Sequence, residues 1–169
     1  MPNEAVIILV GTDKGNTFFV NLDEKEGKAF VSDYQISFSS IYDRLSKEEA
    51  KERGSIRRAV SWIQVNGEEN NQVLLAYENG MVVEWDLKNF SPLFRYENVG
   101  KSFSCCCWKY DFKTLFVAYK DGKLEIYQRG KKLPSKTLFG DLSCKTIKQI
   151  SSCKVGDFDS LFLNGTFFS

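Results

Sequence analysis

Three segments of the chain share one pattern: an apolar run, a turn rich in Asp or Asn with Gly, and a second run that ends on an aromatic or aliphatic residue. They are VIILVGTDKGNTFFVNL (Val6 to Leu22), QVLLAYENGMVVEWDL (Gln72 to Leu87) and TLFVAYKDGKLEIYQ (Thr114 to Gln128). Their turn glycines are Gly15, Gly80 and Gly122, of which the last two lie 42 residues apart. A weaker fourth copy, SLFLNGTFFS, places Gly165 43 residues further on. A period of roughly 40–45 residues with a hairpin in each unit is what a blade of a WD-type β-propeller requires.

Hairpin chemistry supports that reading. A two-residue turn between antiparallel strands needs positive φ, which Asn79-Gly80 and Asp121-Gly122 supply at least steric cost; Lys14-Gly15, with Asp13 before it, is a looser version. The strand entering each turn is almost continuously apolar (Val73 to Tyr77, Leu115 to Tyr119), as suits burial on both faces. The strand leaving the third turn alternates, with Leu124 and Ile126 expected inward and Lys123 and Glu125 outward. Five residues past the glycines fall Val20, Trp85 and Tyr127, and Trp85-Asp86 is the Trp-Asp pair for which the repeat class is named. The expected fold is all-β: an incomplete WD-type β-propeller of about three to four blades of four antiparallel strands, occupying residues 1–169, with one short helical insert. Because the last copy ends in mid-hairpin, an arc of a larger propeller is expected rather than a closed four-bladed ring.

The expected strands are Ile56 to Val65, Val73 to Glu78, Val82 to Leu87 and Leu93 to Tyr96 in one blade, then Phe103 to Trp108, Thr114 to Tyr119, Leu124 to Gln128 and Leu138 to Phe139 in the next. Thr146 to Val155 and Leu161 to Leu163 begin another. One interval breaks the period. Gly15 and Gly80 are 65 residues apart, and the surplus falls on SSIYDRLSKEEAKERG at about 39–54. This stretch reads as an amphipathic helix capped by Ser39 or Ser40, striped by Ile41, Tyr42 and Leu45, and ended by Gly54. Its charged face is that of a solvated surface, on a loop of the kind where partners dock.

Composition narrows the function. With 43% hydrophobic and 14% aromatic residues the chain is not expected to be disordered. Lys+Arg 23 against Asp+Glu 22 gives a net charge of +1, which argues against a dedicated nucleic-acid binder. No apolar run reaches the ~18 residues of a membrane span, and Glu4 sits where a signal peptide wants basic charge, so a cytoplasmic protein is expected. The absence of histidine removes the usual general base and the His-containing zinc sites. Cys105, Cys106, Cys107, Cys144 and Cys153 form no Cys-x-x-Cys pair, and the first three read as small thiols packed between blades. Carboxylates are scattered at turns, and Gly11-Thr12-Asp13-Lys14-Gly15 enters a strand rather than the helix of a phosphate-binding loop. No catalytic, cofactor-binding or metal site is expected, and the chain is read as no enzyme. The basic groups Arg53, Arg57, Arg58 and Lys131, Lys132, Lys136 read as solvated edges, with acidic lipid or a partner as the alternative contact.

In their order, VGTDKGNTFFVNL, LLAYENGMVVEWDL, YKDGKLEIY and FGDLSCKTIKQI followed by SLFLNG resemble the first propeller of the lethal giant larvae family, to which tomosyn is related. The insert carrying RLSKEEAK and the following NNQVLLAY look more like lethal giant larvae proper, whereas the Tyr-x-Asn-Gly turn is shared with tomosyn. The resemblance implies a non-enzymatic scaffold that regulates polarised exocytosis and cell polarity. It implies partners of the syntaxin-type SNARE class, non-muscle myosin II and a polarity kinase complex. It also implies a cytoplasmic location with association at the cell cortex and plasma membrane. Only fold-forming positions carry over: Gly15, Gly80, Gly122, Trp85 and Asp86. Partner-contacting residues do not. A generic WD-repeat adaptor in another protein complex is the alternative.

Overall fold

The structure is a computed structural model that describes residues 6–42, 58–66, 71–96, 101–138, 144–155 and 158–167. Its strands form four antiparallel sheets in chain order. The first holds β1 (Val6–Gly11), β2 (Thr17–Asp23) and β3 (Lys28–Ile36). The second holds β4 (Val60–Val65), β5 (Gln72–Tyr77), β6 (Val82–Asp86) and β7 (Ser91–Tyr96). The third holds β8 (Phe103–Trp108), β9 (Thr114–Tyr119), β10 (Leu124–Gln128) and β11 (Lys136–Leu138). In the fourth, β12 (Cys144–Val155) pairs with β13 (Phe158–Phe167).

The three repeated hairpins, β1–β2, β5–β6 and β9–β10, are built alike. In each, one residue (Thr12, Tyr77 or Tyr119) donates its amide to the carbonyl four residues on, and its own carbonyl accepts from the turn glycine. Positive φ falls on the glycine alone, at 85° for Gly15, 91° for Gly80 and 81° for Gly122. These are three-residue loops, a type I turn closed by a glycine bulge, and not the two-residue turns expected from Asn-Gly and Asp-Gly. The longer loop frees the preceding side chain to accept a local amide: Asn79 Oδ1 takes that of Met81 at 3.0 Å, and Asp121 Oδ1 that of Lys123 at 3.1 Å.

Successive sheets stack face to face. Val73, Leu75 and Tyr77 of β5, with Val83 and Trp85 of β6, pack on Phe19 and Ile36 of the first sheet. The opposite face of the second sheet, with Leu74, Ala76, Val82 and Tyr96, packs on Leu115, Val117, Tyr119 and Tyr127 of the third. The third sheet in turn covers Ile147 and Ile150 of β12. Every β5 residue from Val73 on is buried, as the continuous apolar run predicts.

Three further expectations need correction. Glu125 is 1% exposed rather than facing solvent, because two tyrosines and a lysine satisfy its carboxylate inside the third sheet. Gly165 is not a hairpin turn: it lies within β13 opposite Ile147, beside an irregularity in the pairing between Ile147 and Gln149. An isolated glycine inside a strand marks such a bulge. The helix of the insert begins earlier than expected, as α1 (Phe38–Tyr42), and Ser37 rather than Ser39 or Ser40 caps it, its Oγ accepting the Ser39 amide at 3.3 Å. Phe38 and Ile41 turn into the core between the first two sheets. The rest of the expected 39–54 insert lies outside the described residues.

Candidate interaction surface

Polar side chains join neighbouring sheets at positions one repeat apart. Gln64 of β4 accepts the Trp108 amide of β8 through Oε1 at 3.3 Å, and Ser152 of β12 donates Oγ to the Trp108 carbonyl at 2.8 Å; each pair is 44 residues apart. Ser104 likewise donates to the Ile147 carbonyl, and Thr146 to that of Lys120. Between the second and third sheets, Arg129 crosses to Glu84 and Gln72, and its guanidinium lies 5.8 Å from the centre of the Trp108 ring. Glu84 is 5% exposed, so Arg129 supplies the counter-charge that a buried carboxylate requires.

Within the third sheet, Glu125 accepts hydrogen bonds from Lys101, Tyr119 and Tyr127. Burial alone would raise its pKa, but the bonds from Lys101, Tyr127 and Tyr119 outweigh it and hold the carboxyl below its ordinary value. Burial and the Glu125 carboxylate push the Tyr127 phenol upward. These groups face one another and fasten β9 and β10 to the segment that leads into β8.

The expected fold positions sit where strand geometry puts them. Gly15, Gly80 and Gly122 occupy the three hairpin bulges. Trp85 is 2% exposed, opposite Val73. Asp86 ends β6, and its carboxylate accepts the Lys88 amide at 2.8 Å and the Asn89 side chain at 2.6 Å. The Lys88 amide bond is the main reason that this carboxyl titrates below its ordinary range. Cys105, Cys106 and Cys107 are buried free thiols. Burial pushes Cys105 up to about 12 and Cys107 to about 11, and raises Cys106 well above the ordinary thiol value, with Cys107 and Cys105 adding to it. No group of three or more His, Cys, Asp or Glu able to hold a metal occurs among the described residues. No helix there is long and apolar enough to cross a membrane.

A groove of about 580 Å³ opens between the first and second sheets. Ile7, Leu9 and Phe19 form one wall, Val65 and Leu87 the other, and Tyr34 and Phe90 close one part of it. Tyr34 stacks on Phe90 with ring centres 5.1 Å apart and 27° between planes, and Phe19 meets Phe90 at 5.8 Å. Among the described residues of the lining, Lys88 is the one that carries a charge at neutral pH, beside the amides of Asn21 and Asn71. Sequence reasoning passed over this aromatic pair, although one signal was available. Asp23 and Asp86 both accept the amides that follow them, and four residues after each comes a residue at positive φ: Gly27 at 63° and Phe90 at 48°. A phenylalanine standing where the preceding sheet uses glycine carries backbone strain, and its contacts with Tyr34 and Phe19 compensate.

No protein-family model matches the chain. It is 28% identical over 150 residues to the human protein described as LLGL scribble cell polarity complex component 2, covering 85% of this chain and 14% of that protein. The mouse counterpart is 27% identical over the same length. The chain resembles the lethal giant larvae proteins. It spans about 14% of the length of these curated relatives. Among solved structures, it superposes on a chain of the crystal structure of a mitotic checkpoint complex with a TM-score of 0.66 and 12% identity, covering 94% of this chain and 42% of that one. At that identity the likeness is one of fold, and with the four stacked antiparallel sheets it makes the chain an incomplete WD-type β-propeller.

Proposed function

We propose that this chain is a propeller portion of a lethal giant larvae-like scaffold that acts in cell polarity through protein–protein contacts. The similarity to the two mammalian polarity proteins over 85% of the chain carries this reading. The architecture supports it. Polar groups buried in the third sheet and at its junctions are spent on holding strands and sheets together, while an aromatic-lined groove stays open between the first two sheets. Such a groove, apolar with a few placed polar groups, suits recognition rather than bond-making. By the same resemblance we assign the partners to the syntaxin-type SNAREs and non-muscle myosin II, in regulated exocytosis, and the location to the cytoplasm and cell cortex beneath the plasma membrane.

The test is a solution binding measurement of the purified chain against a syntaxin cytoplasmic domain and a myosin II rod fragment, with an unrelated propeller as the reference. Binding above the reference that weakens on changing Tyr34→Ala or Lys88→Glu supports both the partner class and the groove. Equal signals from chain and reference for both partners would leave only the adaptor alternative.

A further inference from the structure

Charge is spread unevenly over the ends of the sheets. In an antiparallel sheet whose strands follow chain order, alternate connections leave at the same end. The β8–β9 and β10–β11 loops of the third sheet therefore lie together, with the β9–β10 hairpin at the other end. The Arg129 amide ties the two loops by donating to the Lys113 carbonyl at 2.8 Å. These loops and their flanks carry Lys109, Lys113, Lys131, Lys132 and Lys136 against Asp111, which Lys109 holds at 3.4 Å. Lys113, Lys131 and Lys136 are exposed and make no ion pair among the described residues. At the other end, by contrast, Lys101 and Lys123 both turn onto Glu125. Lys154 of β12 adds to the basic end, its ammonium 5.9 Å from the centre of the Tyr110 ring. In a chain of net charge +1 this is a segregated field.

The β10–β11 loop is already shaped. Lys131 donates its amide to the Gln128 carbonyl at 3.0 Å, and Gly130 takes a positive φ of 74°. Ser135 gives both its amide and its hydroxyl to the Ile126 carbonyl, at 2.7 and 2.9 Å, and Pro134 fixes φ just before it. Held out between these anchors, Leu133 is 67% exposed, with Lys132 before it and Lys136 after. A second apolar body, the Tyr110 ring, is 39% exposed with the ammoniums of Lys109 and Lys154 against it. A loop ordered in advance loses little entropy when it binds.

The occupant follows from where the positive charge stops. Because β1–β2 and β9–β10 are equivalent hairpins, the β2–β3 turn occupies the same end of the first sheet as the β10–β11 loop does of the third. That turn carries Asp23, Glu24 and Glu26 against Lys25 and Lys28, and Lys28 is paired with Glu26 at 2.7 Å. An anionic bilayer lying across this side of the propeller would meet both sectors and be repelled by one, whereas a single extended segment covers the basic sector alone. We propose that the basic end of the third sheet docks an acidic peptide segment of a partner protein. Its carboxylates sit on Lys113, Lys131 and Lys132, and an aliphatic side chain lies against Leu133. The surface is separate from the groove between the first two sheets, and it rests on charge placement independently of the polarity reading.

Fluorescence anisotropy of a dye-labelled, glutamate-rich peptide carrying leucines, titrated with the whole chain, tests it. The same peptide with glutamine for glutamate, and vesicles of phosphatidylserine in phosphatidylcholine, are the comparisons. The glutamate peptide is expected to bind at least tenfold more tightly than the glutamine one and to weaken as salt is raised. Lys131→Glu combined with Lys132→Glu lowers the affinity at least tenfold. Leu133→Ser lowers it several-fold with the salt dependence unchanged, and Lys25→Glu, in the acidic sector, leaves it as it was. All these positions are exposed, and circular dichroism of each variant matches the parent chain. A glutamate peptide that binds no better than its glutamine counterpart, or binding indifferent to the double charge reversal, overturns the proposal. So does vesicle binding that the double reversal abolishes and the peptide does not compete, which would make the surface a lipid contact instead.

Discussion

Ser152 donates its hydroxyl to the carbonyl of Trp108, 44 residues earlier, at 2.8 Å, and Trp108 in turn gives its amide to Gln64, 44 residues before that. The inner strands of three consecutive blades are thus tied through one residue per blade, at a spacing equal to the sequence repeat. Each tie joins a side chain to a main-chain group, so it is sensitive to that side chain's identity.

Ser152→Ala removes the donor to the Trp108 carbonyl at a half-buried position. The loss is expected to be about 1 kcal/mol, the usual worth of one intramolecular hydrogen bond. Urea unfolding should show a lower midpoint with an unchanged slope, because the surface exposed on unfolding stays the same.

Glu125 gives the fold a pH dependence. Its folded-state pKa lies below the ordinary value of 4.5, so the folded chain keeps the charge that the unfolded chain gives up on acidification. The stabilisation is complete above the unfolded pKa and is lost as pH falls through the lower folded value. Glu125→Gln is therefore expected to be less stable than the parent by about 2 kcal/mol near neutrality, on the scale of hydrogen bonds to a charged group. The two should converge in acid, as read by denaturant titrations at pH 7 and at a pH below the carboxylate range.

Phe90 separates ring from backbone. Phe90→Ala loses the stacking on Tyr34 and Phe19 yet keeps a side chain at φ 48°, whereas Phe90→Gly loses the rings and the strain together. The glycine variant is expected to exceed the alanine variant in stability by about 1 kcal/mol, and thermal unfolding of the pair checks the order.

The cysteines provide a chemical readout. Cys105, Cys106 and Cys107 are buried and held protonated, so iodoacetamide at mildly alkaline pH should leave them untouched in the folded chain while labelling the half-buried Cys153. Peptide mass mapping before and after denaturation shows whether the triple run becomes reactive only on unfolding.

Hairpins, their glycines and most strand limits were legible because local rules govern them. Apolar runs need two covered faces, and an αL position wants glycine. Burial of Glu125 was not legible, because alternation along β10 says which side a residue faces but not what stands there. Of its partners, Tyr119 comes from β9 and Lys101 from the segment before β8. Gly165 misled for a related reason: a glycine marks a turn or a bulge with equal local logic, and only the pairing of β12 with β13 decides. The groove was the least readable feature. Tyr34, on β3, and Phe90, in the turn between β6 and β7, are 56 residues apart, and neither belongs to a motif.

The connection from β3 to β4 is far longer than those from β7 to β8 or from β11 to β12, yet Val60 still reaches the Thr12 carbonyl at 2.9 Å. Length in that stretch is mechanically decoupled from the docking of one blade on the next. Descendants of such a gene are free to rewrite its charge, its extent or its modification sites without redrawing the ring, so paralogues can acquire new addresses while keeping an old shape.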